Sequence, residues 1–392
     1  MQVEGSEREI LLLCARGTLA QEQIDRIKQL CAARVDWEKI YTLATQHRIL
    51  PLVYRNSRTH CANLVPSETL EKGKLACKNN GMQNLMMVGH LIRILSLLHE
   101  NNIAAVPFKG PVLALSLYGD PALRSFGDID VLIHRKNLNR AVRLLVQQGF
   151  LSLFSLNKKQ LEKLSRTDNE FPLINRENGV TLDLQWEISG GYFKHPMTLD
   201  DLSSPFKDVT VAGKSIPGFS DEDLLLYLCI HGNQHTWRQL DHVCCIAELI
   251  RITPDIDWEK IFLTATRYKA LRMLKIALLL IEDLFGLTPP VPFASQLKKD
   301  AQAVVLARQI SAELFSVCDS SSSFSSHRFM KYHFLSMDNP LLAIRYALRL
   351  FFMPTRFDWQ LYPLPASLSF LHYIIRPVRL GFTAGKKALM HR

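Results

Sequence analysis

The spacing of apolar residues changes twice along this chain, and that change limits the folds that the chain can adopt. Residues 1–95 place apolar residues three and four positions apart, as in "MQNLMMVGHLIRILSLLHENN", which predicts helices. From residue 96 to about residue 195, short apolar runs typical of strands alternate with helical segments. Helical spacing returns at Asp221 and continues to about Leu287. The sequence therefore predicts a small α/β segment between two helical regions.

The α/β segment predicts one small sheet with helices. A strand at "IAAVPF" is followed by a tight turn at "KGP" and a helix at "VLALSLYG". A strand at "IDVLI", a helix at "KNLNRAVRLLVQQG" and a strand at "FLSLFSL" come next. The run "FPLINRENGVTLDLQWEI" predicts a hairpin, with "ENG" as its turn. The predicted fold class is therefore α/β, or more strictly α+β, with a small mixed sheet.

The same changes in the spacing of apolar residues predict the domain organisation. A serine-rich stretch, "CDSSSSFSS", is typical of a linker or loop, and the chain beyond it is apolar, aromatic and broken by prolines. We expect that last segment to pack on the body with its basic residues outward. The predicted parts are an N-terminal helical region (1–95), the α/β core (96–195), a helical domain (196–317), the linker or loop (318–327) and the basic, apolar C-terminal segment (328–392).

Two stretches of the helical regions resemble each other. The segments "VDWEKIYTLATQHRIL" (35–50) and "IDWEKIFLTATRYKAL" (256–271) align without a gap and share the run Asp-Trp-Glu-Lys-Ile. The two regions are therefore predicted to use one kind of helical unit twice. In each copy an aspartate, Asp36 or Asp257, precedes the helix, where a carboxylate can accept hydrogen bonds from free amides. We predict capping for the Asp-Ile-Asp run at 255–257.

A second Asp-Ile-Asp run, at 128–130 in "RSFGDIDVLIHR", leads into an apolar run and not into a helix. Because side chains alternate along a strand, Asp128 and Asp130 are predicted to share one face, with Ile129 and Val131 on the other. Two carboxylates on one face repel each other unless cations lie between them. The pair therefore predicts a seat for divalent metal, the alternative being a solvated start of a strand.

A third carboxylate is predicted on the strand "VTLDLQWEI". Its apolar residues alternate with polar ones, and Asp183 lies in the middle of the polar set. Three carboxylates of this kind can hold two magnesium ions, one activating the attacking oxygen and one the leaving group. Asp183 is the preferred third residue, and Glu187 or Glu170 is the alternative.

A phosphate-binding turn is predicted at "FKGPVLALSLYG". Gly110 permits close approach of a phosphate, Lys109 adds a positive charge, and Pro111 suits the first position of a helix whose amides are free. Arg124, four residues before Asp128, is a second candidate for contact with a triphosphate.

The positive charge is concentrated at the C-terminal end. The chain has 47 Lys and Arg against 37 Asp and Glu, a net charge of +10. From Leu341 onward there are eight Lys or Arg and one acidic residue, Asp358. This segment is either a solvated basic tail or a surface for an anionic partner such as RNA or a membrane.

Other features of the sequence predict a soluble, cytoplasmic protein. The eight cysteines form no Cys-x-x-Cys pair, which favours a reducing compartment. The N-terminal run "MQVEGSEREI" lacks the pattern of a signal peptide. No transmembrane segment is predicted, "MLKIALLLIEDLFGL" being the nearest approach to one.

The order of these elements resembles a known family. The strand, the Lys-Gly turn, the run "LYGDPALRSFGDIDVLI" and the later "LDLQW" are similar to the uncharacterised nucleotidyltransferase family of the DNA polymerase beta-like superfamily. The resemblance continues into "EDLLLYLCIHGNQHTWRQLDHVCCIAELI" and covers most of the chain. It implies a polymerase-beta-like core flanked by helical regions.

The resemblance also implies roles for individual residues. Metal ligands would be Asp128, Asp130 and Asp183, and nucleotide contacts would be Lys109, Gly110, Arg124 and His231. The chain departs from the pattern in three places: Lys-Gly replaces the superfamily's Gly-Ser turn, Gln185 stands where relatives often have histidine, and Cys245 stands where aspartate is common.

Three functions follow as hypotheses. The first is a transferase that uses Mg²⁺ or Mn²⁺ to move a nucleoside monophosphate from an NTP, such as ATP, to an acceptor that is a small molecule, a protein or an RNA. The second is a silent nucleotide- or partner-binding module of the same fold, and the third is a metal-dependent phosphohydrolase. The histidines of "HGNQHTWRQLDHVCC" could hold structural zinc, but histidines that are buried or lie beside the nucleotide are the preferred interpretation.

Overall fold

The protein is described by a computed structural model of residues 5–32, 35–152, 154, 156–189, 197–202, 206–315 and 326–390, with the backbone alone for 326–327 and 383–390. Most of the predicted serine-rich linker (318–327) lies outside the described residues. The structure is a mixed α/β fold with a five-stranded sheet and helical flanks, so the predicted fold class is confirmed.

Helices make up most of the described chain. They are α1 (Gly5–Cys14), α2 (Gln21–Cys31), α3 (Trp37–Gln46), α4 (Leu50–Cys61), α5 (Ser67–Glu100), α6 (Gly110–Tyr118), α7 (Leu138–Gln147), α8 (Lys158–Leu164), α9 (Asp221–Gln234), α10 (Leu240–Ile252), α11 (Trp258–Arg267), α12 (Leu271–Phe285), α13 (Val291–Leu297), α14 (Ala301–Leu314), α15 (Ser326–Ser336), α16 (Pro340–Phe352), α17 (Arg356–Leu361) and α18 (His372–Met390).

The strands form one mixed sheet and one separate hairpin. They are β1 (Ala105–Pro107), β2 (Asp128–Ile133), β3 (Phe150–Ser152), β4 (Glu170–Asn175), β5 (Thr181–Gln185), β6 (Lys207–Val211) and β7 (Lys214–Gly218). The sheet has the order β1-β2-β5-β4-β3, and only the central pair, β2 with β5, is parallel. The predicted hairpin is β4–β5, and its turn contains Gly179 at a φ of 72°.

The chain divides into two compact units that do not follow the order of the sequence. The helical unit comprises Met1–Ile92, Phe108–Gly127 and Ser203–Asp338, and the sheet unit comprises Arg93–Pro107, Asp128–Leu202 and Asn339–Arg392. The sheet unit therefore combines the five-stranded sheet with the C-terminal helices α16, α17 and α18. Both copies of the repeated segment lie in the helical unit.

The repeated segments have the same local structure. Asp36 Oδ1 accepts a hydrogen bond from the Lys39 amide, and Asp257 Oδ1 accepts one from the Lys260 amide, each at 2.9 Å. Each helix then ends in a turn whose second residue is left-handed, Arg48 at a φ of 60° and Lys269 at 58°. The prediction of two capping aspartates and one reused helical unit is confirmed.

The hairpin β6–β7 was not predicted from the sequence. It lies within the part of the chain predicted as a helical domain, and it packs against α6. Ala212 and Gly213 form its two-residue turn with φ of 47° and 77°, as a type I′ hairpin requires. The alternation of valines before "AGK" is the signal that could have identified it.

Residues 339–392 of the predicted C-terminal segment belong to the sheet unit, and their arginines do not all point outward as predicted. Arg376, at 5% exposure, donates to Asp358 Oδ2 at 2.8 Å and to the Leu350 carbonyl. Arg379 donates to the other oxygen of Asp358 at 2.9 Å. These bonds join α16, α17 and α18. They also supply the cationic donors that a buried carboxylate needs in order to be stable.

One helix among the described residues, α5, is long and apolar enough to cross a membrane by length and composition alone. Its most apolar window is 44% buried inside the protein, and one helix of this kind is weak evidence for a membrane span. The stretch that the sequence suggested as nearest to a membrane span, within α12, does not meet this test.

Candidate active site

Two of the three predicted carboxylates lie directly opposite each other on the central strands of the sheet. β2 and β5 run parallel, with Asp130 paired with Asp183 and Asp128 paired with Thr181. Paired residues of adjacent strands project from the same face, and so do residues two apart on one strand. Asp128, Asp130 and Asp183 therefore share one face of the sheet.

The strands hold these carboxylates in a largely buried setting. Asp130 is 1% exposed, whereas Asp128 and Asp183 are half-buried. The residues that alternate with them, Ile129 and Leu184, are fully buried on the opposite face. Apolar packing on one face thus fixes the direction of the acidic side chains on the other.

Gln185 lies two residues beyond Asp183 on the same face. Its Nε2 donates to Oδ1 of Asp130 at 2.7 Å and to Oε2 of Glu170 at 3.4 Å. Glu170 also accepts from Arg356, whose Nε lies 3.6 Å from Asp168. A polar chain therefore runs from Asp130 through Gln185 and Glu170 to the arginine at the start of α17.

The charge of Arg356 is stabilised by the acidic side chains of Asp168 and Glu170. Burial by itself would lower the pKa of Arg356, but Asp168 and Glu170 outweigh that effect and raise it. Burial raises the pKa of Asp168, against the opposing influence of Arg356. Glu170, one of the alternative metal ligands, is thus already an ion-pair partner of Arg356.

Whether these carboxylates suit a magnesium ion depends on the type of donor atom and on where the donors lie. Carboxylate oxygens suit Mg²⁺, which usually takes one or two protein carboxylates and completes its shell with water and substrate phosphates. Among the described residues, no three His, Cys, Asp or Glu side chains are grouped closely enough to hold a metal by themselves. Asp128 and Asp130 fit the two-carboxylate arrangement, and the assignment of all three residues as metal ligands stays a prediction.

Glu187, the other alternative ligand, lies at the opposite end of the strand pair. It follows β5 and, with His134 after β2, lines a cavity of about 630 Å³. Because β2 and β5 are parallel, this cavity is at their carboxyl ends, whereas Asp128 begins β2. Asp183 is therefore better placed than Glu187 to act with Asp128 and Asp130.

The predicted phosphate-binding turn belongs to the helical unit. Lys109 immediately precedes α6, and Pro111 occupies the first turn of that helix. Gly110 has a φ of 53°, in the left-handed region that favours glycine. Lys109 Nζ lies 5.5 Å from the Phe108 ring centre and 5.7 Å from that of Tyr227, so aromatic faces support its charge.

Arg124 lies in the same unit and is held from two sides. Its Nη2 atom lies 2.8 Å from Asp241 Oδ2, and the two side chains are only 12% and 6% exposed. Asn84 Nδ2 donates to the Arg124 carbonyl at 2.7 Å. Burial lowers the pKa of Arg124, but Asp241 and Cys245 outweigh it and raise the pKa.

Cys245 is one helical turn beyond Asp241. Its Sγ lies 3.5 Å from Asp241 Oδ1, and burial, assisted by Asp241, raises the pKa of this thiol to about 12. A neutral thiol leaves Asp241 as the carboxylate that holds Arg124. Cysteine at position 245, where the resemblance implies that aspartate is common, therefore leaves the ion pair of Arg124 and Asp241 intact.

Three histidines gather beside Lys109 and Arg124, although the sequence assigned only His231 to the nucleotide. The ring centres of His231 and His235 are 4.5 Å apart, and each lies 5.4 Å from that of His242. Burial, then Lys109 and the other histidines, hold the pKa of His231 well below its usual range. We call Lys109, Arg124, His231, His235 and His242 the basic cluster.

The His-Gly dipeptide has a packing explanation. A Cβ at position 232 would collide with the ring of Trp237, which is fully buried. Trp237 Nε1 donates to the Tyr332 hydroxyl at 3.0 Å, and that hydroxyl donates to Asn233 at 2.6 Å. Glycine at 232 thus lets α9 and Trp237 pack closely beside the basic cluster.

Comparison with protein families identifies the class of protein. Residues 33–286, well over half of the chain, match a family described as uncharacterised nucleotidyltransferases. The chain belongs to this nucleotidyltransferase family. No curated protein and no solved structure gave a significant match to the chain.

Proposed function

We propose that this protein is a magnesium-dependent nucleotidyltransferase that moves a nucleoside monophosphate from an NTP to an acceptor and releases pyrophosphate. The observation that carries the proposal is the register of β2 and β5, which sets Asp130 opposite Asp183 with Asp128 on the same face. Membership of a nucleotidyltransferase family supports the reaction class.

The carboxylates would take separate roles. Asp128 and Asp130 would hold the metal together with phosphate oxygens of the NTP, and bound Mg²⁺ would neutralise the phosphate charge during transfer. Asp183 would orient the acceptor and take its proton. Gln185 would fix the rotamer of Asp130 by the bond to Oδ1.

The reaction balances without a further reagent. An acceptor oxygen attacks the α-phosphorus and forms a new P–O bond, while the bond from that phosphorus to the oxygen bridging the β-phosphate breaks. Pyrophosphate leaves with the bonding electrons, and the acceptor proton passes to the base. Catalysis of this kind depends mainly on positioning and on stabilising charge.

The basic cluster supports a role in binding the triphosphate. It combines a lysine at the start of a helix, a buried arginine and three adjacent imidazoles. Helix starts and cationic side chains both favour phosphate groups. Within the cluster, Asp241 forms an ion pair with Arg124.

The test is the transfer of label from each α-³²P NTP, with Mg²⁺ or Mn²⁺, into the protein, RNA and small-molecule fractions of a host lysate. Wild type should label one fraction, and Asp128→Asn should lose that label. Asp255→Asn, from the exposed start of the other Asp-Ile-Asp run, is the matched control and should keep it. Release of free NMP with no labelled acceptor would indicate a phosphohydrolase and contradict the proposal.

One observation favours the second candidate, a silent nucleotide- or partner-binding module. Asp130 is almost fully buried, and Gln185 already occupies one of its oxygens. A module of this kind would bind NTP without labelling any fraction. Nucleotide binding that survives in both variants, with no transfer by wild type, would favour it.

A further inference from the structure

The C-terminal helices expose an unusual amount of apolar surface. Among the described residues, 25 large hydrophobic side chains are exposed, and 14 of them lie between residues 341 and 382. Soluble proteins rarely expose apolar side chains in such concentration unless the surface has a partner.

The exposed side chains follow the helical repeat. On α16 they are three or four residues apart and cover one face: Leu341, Ile344, Leu348, Phe351 and Phe352 are 45–66% exposed. On α18, Ile374, Val378 and Phe382 recur every fourth residue and are 53–74% exposed. These are amphipathic helices whose apolar stripes face solvent, the reverse of the usual arrangement.

The opposite faces of the same helices are well packed. Ala343 and Tyr346 of α16 are buried, and α16 packs against α18. The buried Asp358 joins α16, α17 and α18 through Arg376 and Arg379. The outward apolar stripes therefore belong to a folded, hydrogen-bonded substructure.

The charge of this segment is predominantly positive in sequence, although Arg376 and Arg379 are bonded to Asp358 and Arg356 is bonded to Glu170. Residues 341–392 contain eight Lys or Arg and a single acidic residue, Asp358, which is fully buried between two arginines. The exposed face of α16 includes Arg345, and half-buried Arg349 lies one turn further on. No exposed carboxylate in the described part of this segment would repel an anionic surface.

We infer that α16 to α18 form a docking surface for an anionic lipid bilayer. Helices that lie in a membrane interface combine a Leu- and Phe-rich face with Lys and Arg on the polar side, and α16 has exposed Arg345 beside its apolar stripe. Groups of basic residues next to such helices bind anionic headgroups. A protein groove would accommodate the apolar residues, but the absence of any exposed acid in the described part of this segment favours a uniformly anionic partner.

The test is flotation of the full-length protein with vesicles of phosphatidylcholine alone or of phosphatidylcholine and phosphatidylglycerol in equal parts. Wild type should bind the anionic vesicles, bind the neutral ones far less, and dissociate as salt is added. This wild-type titration does not depend on the folding of any variant.

Substitutions on α16 test whether the vesicles bind at this helix. Ile344→Gln, Leu348→Gln and Phe351→Gln together should weaken vesicle binding by at least about a hundredfold, since each side chain would lose a buried apolar contact. Arg345→Glu should weaken it by about tenfold. The matched controls are Leu263→Gln, Val291→Gln and Val305→Gln together, which alter exposed apolar residues elsewhere, and Arg140→Glu.

Three results would overturn the inference. Wild type could fail to bind anionic vesicles, or both control sets could weaken binding as much as the α16 variants do. Alternatively, wild type could ignore vesicles and form a dimer that the triple variant dissociates, which would identify a second copy of the chain as the occupant. None of these results depends on nucleotide transfer.

Discussion

Gln185 Nε2 donates a hydrogen bond to Oδ1 of Asp130 at 2.7 Å, and this bond joins two residues that are adjacent only because β2 and β5 pair in one register. The resemblance to relatives marks Gln185 as a departure from histidine. In this chain the amide still supplies a donor to a buried carboxylate. It also connects Asp130 to Glu170 and so to Arg356.

Gln185→Leu removes this donor while keeping the side chain close in size. We expect a loss of about 1.5–3 kcal/mol in the free energy of unfolding, because a hydrogen bond to a buried charged group is lost. Urea unfolding measures the change, with Gln147→Leu on the exposed end of α7 as the control. A Gln185→Leu protein as stable as wild type would show that the bond contributes nothing.

The ion pair of Arg124 and Asp241 predicts a larger effect. Asp241→Asn leaves a buried guanidinium beside a neutral amide, which should cost about 3–5 kcal/mol. Asp221→Asn breaks the pair with the more exposed Lys207 and should cost less than about 1 kcal/mol. Equal losses in the two variants, measured by urea unfolding, would contradict the buried character of the Arg124 site.

The histidines of the basic cluster predict a dependence of stability on pH. Burial holds the pKa values of His231 and His242 well below 6.5 in the folded protein. The unfolded chain therefore binds protons at these residues as the pH falls below about 6.5, whereas the folded protein does not. The melting temperature should therefore decrease as the pH is lowered from about 7.5 to about 5.5.

His242→Gln should make this fall less steep, since one of the residues that takes up a proton on unfolding is removed. Each such histidine contributes at most about 1.4 kcal/mol per pH unit. Thermal unfolding of the two proteins across the window provides the comparison. A melting temperature that stays constant in wild type, or falls equally in the variant, would show that folding does not lower the pKa values of these imidazoles.

The two capping aspartates of the repeated segment predict matched losses. Asp36→Ala and Asp257→Ala should each lower the free energy of unfolding by about 1 kcal/mol, because an amide in the first turn loses its acceptor. Asp255→Ala, two residues before Asp257 and exposed, is the control and should change stability little. If Asp255→Ala costs as much as Asp257→Ala, the caps are not the cause.

Much of this site could be predicted from the sequence because it depends on local periodicity. Alternation along a strand placed Asp128 and Asp130 on one face and put Asp183 in the middle of another strand. The pairing of Asp130 with Asp183 could not be predicted, because two helices, α7 and α8, and two further strands, β3 and β4, separate β2 from β5 along the chain. Register between distant strands is decided by tertiary packing.

The same limit explains why two contacts were not predicted, the meeting of the three histidines and the inward turn of Arg376. His235 and His242 meet His231 only through the packing of α9 against α10, which no short motif reports. Arg376 turns inward because Asp358, 18 residues earlier, lies buried beside it. A basic residue in a basic segment gives no sign of such a partner.

We propose that Asp128, Asp130 and Asp183 support metal-dependent nucleotidyl transfer. The most direct test is the rate of pyrophosphate release from NTP with Mg²⁺ and a lysate fraction that accepts label. Wild type should release pyrophosphate, Asp130→Asn should be slower by at least about a hundredfold, and Asp255→Asn should match wild type. Equal release by wild type and a folded Asp130→Asn protein would contradict the assignment of this carboxylate face as the active site.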